Sequence, residues 1–218
     1  MYIKRSKMPK TWPVARKSTK SRYIAVPSHS GSKGITLLFI IRDLLKIAMT
    51  RKEVRVIMLN GDVKVNNTVR KDDRFTVQVF DVVQFDKIKK NYKLVIVNRK
   101  FKLEEVSEKE SHKKIVKIIG KILLAKGRVQ MNLEDGQNFL AKESFSVGDS
   151  VVINTKEKKI EKVLPLKEGA RVEIIVGKHA GETGMLRKIE QMDRKRIYSV
   201  KLKDKEVGLP AKTVLVIE

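Results

Sequence analysis

The sequence predicts an α+β chain of several small domains, led by a basic, extended N-terminal arm. Three observations predict it. The first 42 residues contain no Asp or Glu and ten Lys and Arg. Helical periodicity together with a helix-start signature occurs between Leu37 and Asn60. From Val77 onward, short β-rich runs alternate with turn residues at a spacing of about ten residues, the rhythm of small barrels and sandwiches. These features divide the chain into an arm and linker (1–35), a two-helix module with a small sheet (36–90), a central β domain (91–165) and a second small β-barrel (166–218).

The arm has no apolar periodicity, and Pro9 and Pro13 break any helix. Alone it buries too little surface to offset its ordering entropy, so disorder is expected. Tyr2, Trp12 and Tyr23 are interleaved with the cations. Aromatic rings in such an arm can stack on unpaired RNA bases while Lys and Arg neutralise phosphates. Lys10, Trp12, Arg16, Lys17, Lys20 and Arg22 are therefore candidate contacts, against the plainer reading of a solvated tail. Residues 27–34, Pro-Ser-His-Ser-Gly-Ser-Lys-Gly, read as a linker.

Leu37, Ile40, Ile41, Leu44, Leu45 and Ala48 follow the spacing of an amphipathic helix. Thr50 with Glu53 three residues on is a capping box for a second helix, which ends at Gly61. On that helix Arg51, Lys52 and Arg55 fall within about a quarter turn of one another, away from Val54, Ile57 and Met58. Val63 and Val65 then alternate with Lys64 and Asn66, and Asn66-Asn67 suits a tight hairpin, because Asn tolerates positive φ. Val77 to Phe85 supplies a further strand.

In the central region Lys93 to Val97 reads as a strand. Ile115 to Ala125 fits helix or strand by pattern, and its Ile, Val and Leu content favours strand. Val129 to Leu133 leads into the Asp135-Gly136 turn, and Val147-Gly148-Asp149 precedes a strand at Val151 to Ile153. The last region has β runs at Arg171 to Val176, Thr183 to Ile189, Ile197 to Leu202 and Val214 to Ile217, with turns at Gly169, Gly177, Gly181 and Gly208-Leu209-Pro210.

Composition narrows the function. Lys and Arg number 49 against 25 Asp and Glu, a formal charge of +24. Such a chain repels itself unless a polyanion neutralises it, and nucleic acid does so with release of counterions. The absence of Cys excludes disulfides, thiol catalysis and Cys-based zinc sites, and fits an intracellular protein. The three His are far apart in sequence and suggest no metal site. The longest apolar run, Ile35 to Ile41, is far short of the ~18 residues of a membrane span. The basic N-terminus lacks the apolar core of a secretory signal.

Two local signatures carry family resemblances. The unit Thr36 to Phe85 resembles the S4-type RNA-binding domain, whose second helix and following hairpin grip structured RNA. That resemblance implies contacts by Arg51, Lys52, Arg55, Lys64, Asn66, Arg70 and Lys71, and Arg42 lies on the preceding helix. Gly169 to Leu186 looks like a KOW motif, with Lys178 and His179 at its exposed turn and an acid, Glu182, as a departure. It implies a C-terminal SH3-like KOW β-barrel. The order of the pieces is more specific: Lys10-Thr11-Trp12-Pro13-Val14-Ala15-Arg16-Lys17 in the arm, Ile41 to Lys46, Asn132 to Asn138, Val147-Gly148-Asp149, then the KOW-type segment. This order is similar, over nearly the whole chain, to the archaeal and eukaryotic small-subunit ribosomal protein family S4e.

The resemblance implies a cytoplasmic ribosomal component, a monomer within the ribosome, bound to small-subunit rRNA and neighbouring small-subunit proteins. It implies no cofactor, metal, membrane or small-molecule substrate. Three other classes fit less well. An RNA-modifying enzyme with an S4-type grip needs a catalytic domain, and no Gly-rich phosphate loop or triad spacing is evident after Lys90. The acid pairs Asp72-Asp73 and Glu104-Glu105 read as surface charge. A transcription elongation factor would share the KOW barrel but not the acid-free arm. A membrane-surface protein wants bulky apolar residues on an amphipathic helix, which the arm lacks.

Overall fold

The structure is a computed structural model describing residues 2–17, 21–29, 33–141, 144–192, 195–202 and 205–217. It is α+β, with short helices in the N-terminal part and several antiparallel sheets. The chain divides into two units, Met1–His112 and Lys113–Glu218.

In the first unit β1 (Tyr2–Lys4) pairs with β2 (Tyr23–Ala25), and β3 (Gly34–Thr36) with β6 (Thr76–Gln78). A five-stranded sheet runs in the order β5 (Thr68–Val69), β4 (Val63–Val65), β7 (Val82–Phe85), β8 (Lys90–Val97), β9 (Lys100–Val106). The helices are α1 (Leu37–Phe39), which continues as a π turn over Ile40–Leu44, then α2 (Arg51–Leu59) and α3 (Glu108–Ser111).

Within the folded chain the described residues of the arm are not left extended and free. Its chain is tied into the first unit by the β1–β2 ribbon and by the Phe101 N–H, which donates to the Thr11 carbonyl at 2.9 Å. Met8 and Trp12 are only 2% exposed. Burying such side chains stabilises by about 1.5–3 kcal/mol each, a contribution toward the ordering cost that the sequence pattern does not reveal. The Trp12 indole N–H donates to the Gly34 carbonyl at 3.0 Å, and its ring meets Phe39 at 5.2 Å. At Gly34 itself a Cβ would lie 2.2 Å from the Val77 carbonyl oxygen, so the close β3–β6 pairing requires glycine.

The first helix is shorter than its apolar pattern predicts. Residues 35–41 are buried without exception, so the segment is enclosed on all sides rather than amphipathic. Helical structure stops at Leu44, and Lys46 adopts φ 55, a left-handed conformation that no helix continues through. Val77 to Phe85 is two strands, not one. Phe80 has φ 67, and the Asp81 carboxylate accepts from the Gln78 N–H at 2.7 Å, closing a turn between β6 and β7. Lys93 to Val97, placed in the central domain by the sequence, belongs to β8, whose residues Lys90 to Lys93 pair with β7.

In the second unit one sheet has the order β12 (Asn138–Leu140), β11 (Val129–Leu133), β10 (Lys113–Leu123), β13 (Ser150–Asn154), β14 (Lys159–Leu164). Its core is Val116, Ile118, Met131, Leu133, Phe145, Val151 and Ile153. The other sheet has the order β18 (Glu206–Pro210), β17 (Lys195–Lys201), β16 (Thr183–Met192), β15 (Arg171–Ile174), β19 (Val214–Val216). Gly208-Leu209-Pro210, expected as a turn, is part of β18. That strand is an edge, where a proline without an N–H is tolerated. The Lys117 ammonium, buried on β10, donates to the carbonyls of Ala211 and of Val214 (2.7 Å), and Ser150 Oγ accepts from Val216 N–H at 3.1 Å. Burial pushes the Lys117 pKa down, against the opposing pull of Glu134.

Candidate nucleic-acid interface

The site is built from α2 and the loop between β5 and β6. Thr50 caps α2: its hydroxyl accepts from Glu53 N–H at 3.3 Å, and the Glu53 carboxylate accepts from Met49 N–H at 2.8 Å and Thr50 N–H at 3.4 Å. These bonds satisfy N–H groups that a helix start leaves open. They also hold the Glu53 pKa below its ordinary value, chiefly through the Met49 backbone and the Thr50 side chain. Val54 and Met58 face inward and are fully buried, which leaves Lys52 and Arg55 exposed. Gly61, with φ 82, follows the helix.

Arg51 turns toward the loop. Its Nε donates to the Asp73 carboxylate, and Arg55 Nε lies 3.7 Å from the same oxygen. The Asp73 side chain is 6% exposed, whereas those of Arg51 and Arg55 are 29% and 57% exposed. Burial pushes the Asp73 pKa up. The Arg51 hydrogen bond and the charges of Arg51, Arg55 and Arg74 outweigh it, and the net shift is downward. The acid is thus ionised at neutral pH and anchors cations that reach toward solvent.

The loop is fixed by its backbone. The Asp73 and Phe75 carbonyls accept from Leu38 and Leu37 N–H at the start of α1, both at 3.0 Å, and the Arg74 carbonyl accepts from Ser28 N–H at 2.9 Å. Arg70 lays its guanidinium over the Phe75 ring at 4.3 Å, and His29 meets the same ring edge-on at 4.9 Å. Lys71 and Arg74 are exposed beside them. The structure therefore brings together Arg51, Lys52, Arg55, Arg70 and Lys71, with His29 against Phe75, and adds Asp73 and Arg74, which sequence reasoning missed. Asp72-Asp73 was visible as a pair of acids, but its partners lie some twenty residues away in sequence.

Other expected contacts have different roles in the fold. Trp12 is enclosed in the first unit and offers no face for base stacking, a correction that follows from its burial. Asn66 is a turn-former. With φ 50 it donates to Asp81 Oδ1 at 2.8 Å and accepts from Val82 N–H at 3.0 Å, so its amide is engaged internally. Lys64 is ion-paired with Asp86 at 2.6 Å. Arg42 is paired with Asp43 at 2.8 Å and lies over the Phe39 ring at 5.5 Å. Lys10, Arg16, Lys17 and Arg22 are exposed, although an Arg16 N–H donates to the Met8 carbonyl and Arg22 lies 5.9 Å from the Tyr23 ring. Lys20 lies outside the described residues. In the second unit Lys178 is exposed at a turn, and the neighbouring His179 Nδ1 lies 3.2 Å from the Glu182 carboxylate. Among the described residues, no cluster of acids and histidines is placed to hold a metal, and no helix is long and apolar enough to cross a membrane.

A cationic face held on a small α+β unit is a surface of the class that suits a polyanion. Comparison with known proteins gives the family. The model described as Ribosomal family S4e matches residues 88–160. The small ribosomal subunit protein eS4 of Methanocella arvoryzae is 37% identical over 193 residues, covering 87% of this chain and 81% of the relative. That of Archaeoglobus fulgidus is 33% identical over 209 residues, covering 95% and 88%. The crystal structure of the 30S ribosomal protein S4e from Thermoplasma acidophilum superposes with a TM-score of 0.73 at 26% identity, covering 85% of this chain and 95% of that one. The chain belongs to the small ribosomal subunit protein eS4 family.

Proposed function

We propose that this chain holds folded small-subunit rRNA together in the cytoplasmic ribosome, as one copy among neighbouring small-subunit proteins, by binding and without chemistry. The observation that carries the RNA-binding reading is the Asp73-anchored set of cations on α2 and the 70–74 loop. Guanidiniums fixed by a buried acid are pre-organised for phosphates, and a rigid basic surface suits A-form RNA, whose base edges are hidden in a deep groove. In this reading 36–90 is an S4-type module and 166–218 an SH3-like KOW barrel. Residues 1–35 and 91–165 complete the four-part division, with β8 and β9 contributed to the sheet of the first unit. Lys10, Arg16, Lys17, Lys20, Arg22, Arg70, Lys71 and Lys178 add phosphate contacts, and their joint effect is a steep fall of affinity with salt.

The test is the triple substitution Arg51→Ala, Lys52→Ala, Arg55→Ala, assayed by rRNA-fragment binding across a salt series. Losing three phosphate contacts lowers affinity on the order of 10- to 100-fold at low salt and flattens the salt slope by about 2–3. An affinity within about twofold of the parent with an unchanged slope removes α2 from the grip.

A further inference from the structure

The β10–β11 hairpin of the second unit has a composition that the RNA grip does not use. From Ser111 to Leu133 there is no Asp or Glu, and there are six Lys and Arg. Every residue from Lys121 to Arg128 is exposed. The apex is well formed: Leu124 N–H donates to the Arg128 carbonyl at 2.7 Å, and Lys126 and Gly127 take φ 63 and 68. Yet its side chains include Ile122, Leu123 and Leu124, and Leu123 is 75% exposed. The register sets Ile122 opposite Gln130 and Gln130 opposite Leu140, so these three share one face of the sheet. On that face Ile122 and Leu140 are both exposed, while the opposite face carries the core residues Met131 and Leu133. On one face Ile122 and Leu140 thus flank Gln130, and the exposed Leu123 and Leu124 carry aliphatic surface out to the apex, with Lys126 and Arg128 at its tip.

We propose that this hairpin is a protein-docking surface, taking an apolar patch of a neighbouring protein rimmed by carboxylates. Aliphatic side chains give phosphates nothing, and base stacking needs aromatic or guanidinium planes, whereas Ile122, Leu123, Leu124 and Leu140 are aliphatic. Exposed apolar surface with a polar rim is instead the character of a protein interface. The acid-free stretch sets the sign of the partner's rim, because a cationic rim would be repelled by Lys126 and Arg128.

The proposal rests on the small-subunit reading, and one experiment separates the two. A photo-crosslinking residue is placed at position 123 of the full chain, and at position 156 as an exposed control. The tagged protein is then sedimented with small subunits before irradiation. Expected is a protein–protein adduct at position 123 but not at 156, mapped to a peptide of a second subunit protein containing apolar residues and Asp or Glu. Lys126→Glu with Arg128→Glu is expected to lower the adduct yield by roughly fivefold or more. An rRNA adduct at 123 overturns the proposal and makes the hairpin an RNA surface. Cosedimentation without any adduct overturns it as well, and failure to cosediment removes the reading beneath it.

Discussion

The two units both bury charge, and they do so to opposite ends. In the first, the acid is inside and its partners reach outward: Asp73 is sealed, while Arg51 and Arg55 keep a substantial part of their guanidiniums in solvent. In the second, both partners are inside. Lys114 pairs with Asp135 at 2.8 Å, with side chains 5% and 6% exposed, and Lys117, three residues on in β10, is turned onto backbone carbonyls. An ion pair that is half in water can present its cation to a ligand. One that is fully enclosed can only organise the fold. Total charge therefore says little about where a basic protein binds, and the depth of each pair says more.

The sharpest way to break this comparison is to make the same change at both acids. Asp135→Asn keeps the oxygen that accepts from Gln137 N–H at 3.0 Å but removes the charge facing Lys114. Removing one charge of a buried ion pair costs about 3–5 kcal/mol. Denaturant unfolding followed by hydrogen exchange of the β10 amides should show a loss of that size.

Asp73→Asn is expected to cost less, about 1–2 kcal/mol, because Arg51 and Arg55 can recover hydration. Trp12 is the chain's one tryptophan and is buried in the first unit, so its fluorescence reports this unit alone. The pH dependence gives a second reading. A carboxyl with a lowered folded pKa contributes stability that is complete above its unfolded pKa. That contribution is lost as pH falls through the folded value, from about pH 4 downward. Asp73→Asn should therefore flatten the acid limb of the Trp12 curve. Equal costs for the two substitutions, or an unchanged acid limb, would remove the distinction between the units.

What was legible in the sequence was local. Thr50 and Glu53, three residues apart, form the capping box; Asn66-Asn67 turn the β4–β5 hairpin with φ 50 and 62; Asp135-Gly136 turn the β11–β12 hairpin, with Gly136 at φ 87. Each rests on backbone chemistry within a few residues. The family resemblance was legible too, since it rests on the order of such segments. The errors came from contacts far apart in the chain. The Thr11-Trp12 segment shows no periodicity because it is anchored by residues of β3, α1 and β9 rather than by a helix or strand of its own. Asp73 read as surface charge because Arg51 lies 22 positions away. Arg51, Lys52 and Arg55 were visible as a cationic face, but which of them is held in place was not.

The smallest expected effect separates local from long-range support of that face. Thr50→Ala removes the hydroxyl that accepts from Glu53 N–H and leaves the Arg51–Asp73 bond intact. Loss of such a cap costs about 1 kcal/mol. Trp12-monitored unfolding should fall by that amount, while the salt slope of rRNA binding stays the same, because Arg51, Lys52 and Arg55 are still present and Arg51 is still anchored. A Thr50→Ala loss larger than that of Asp73→Asn, or a flattened salt slope, would mean that the helix start, and not the buried acid, sets the position of the cations.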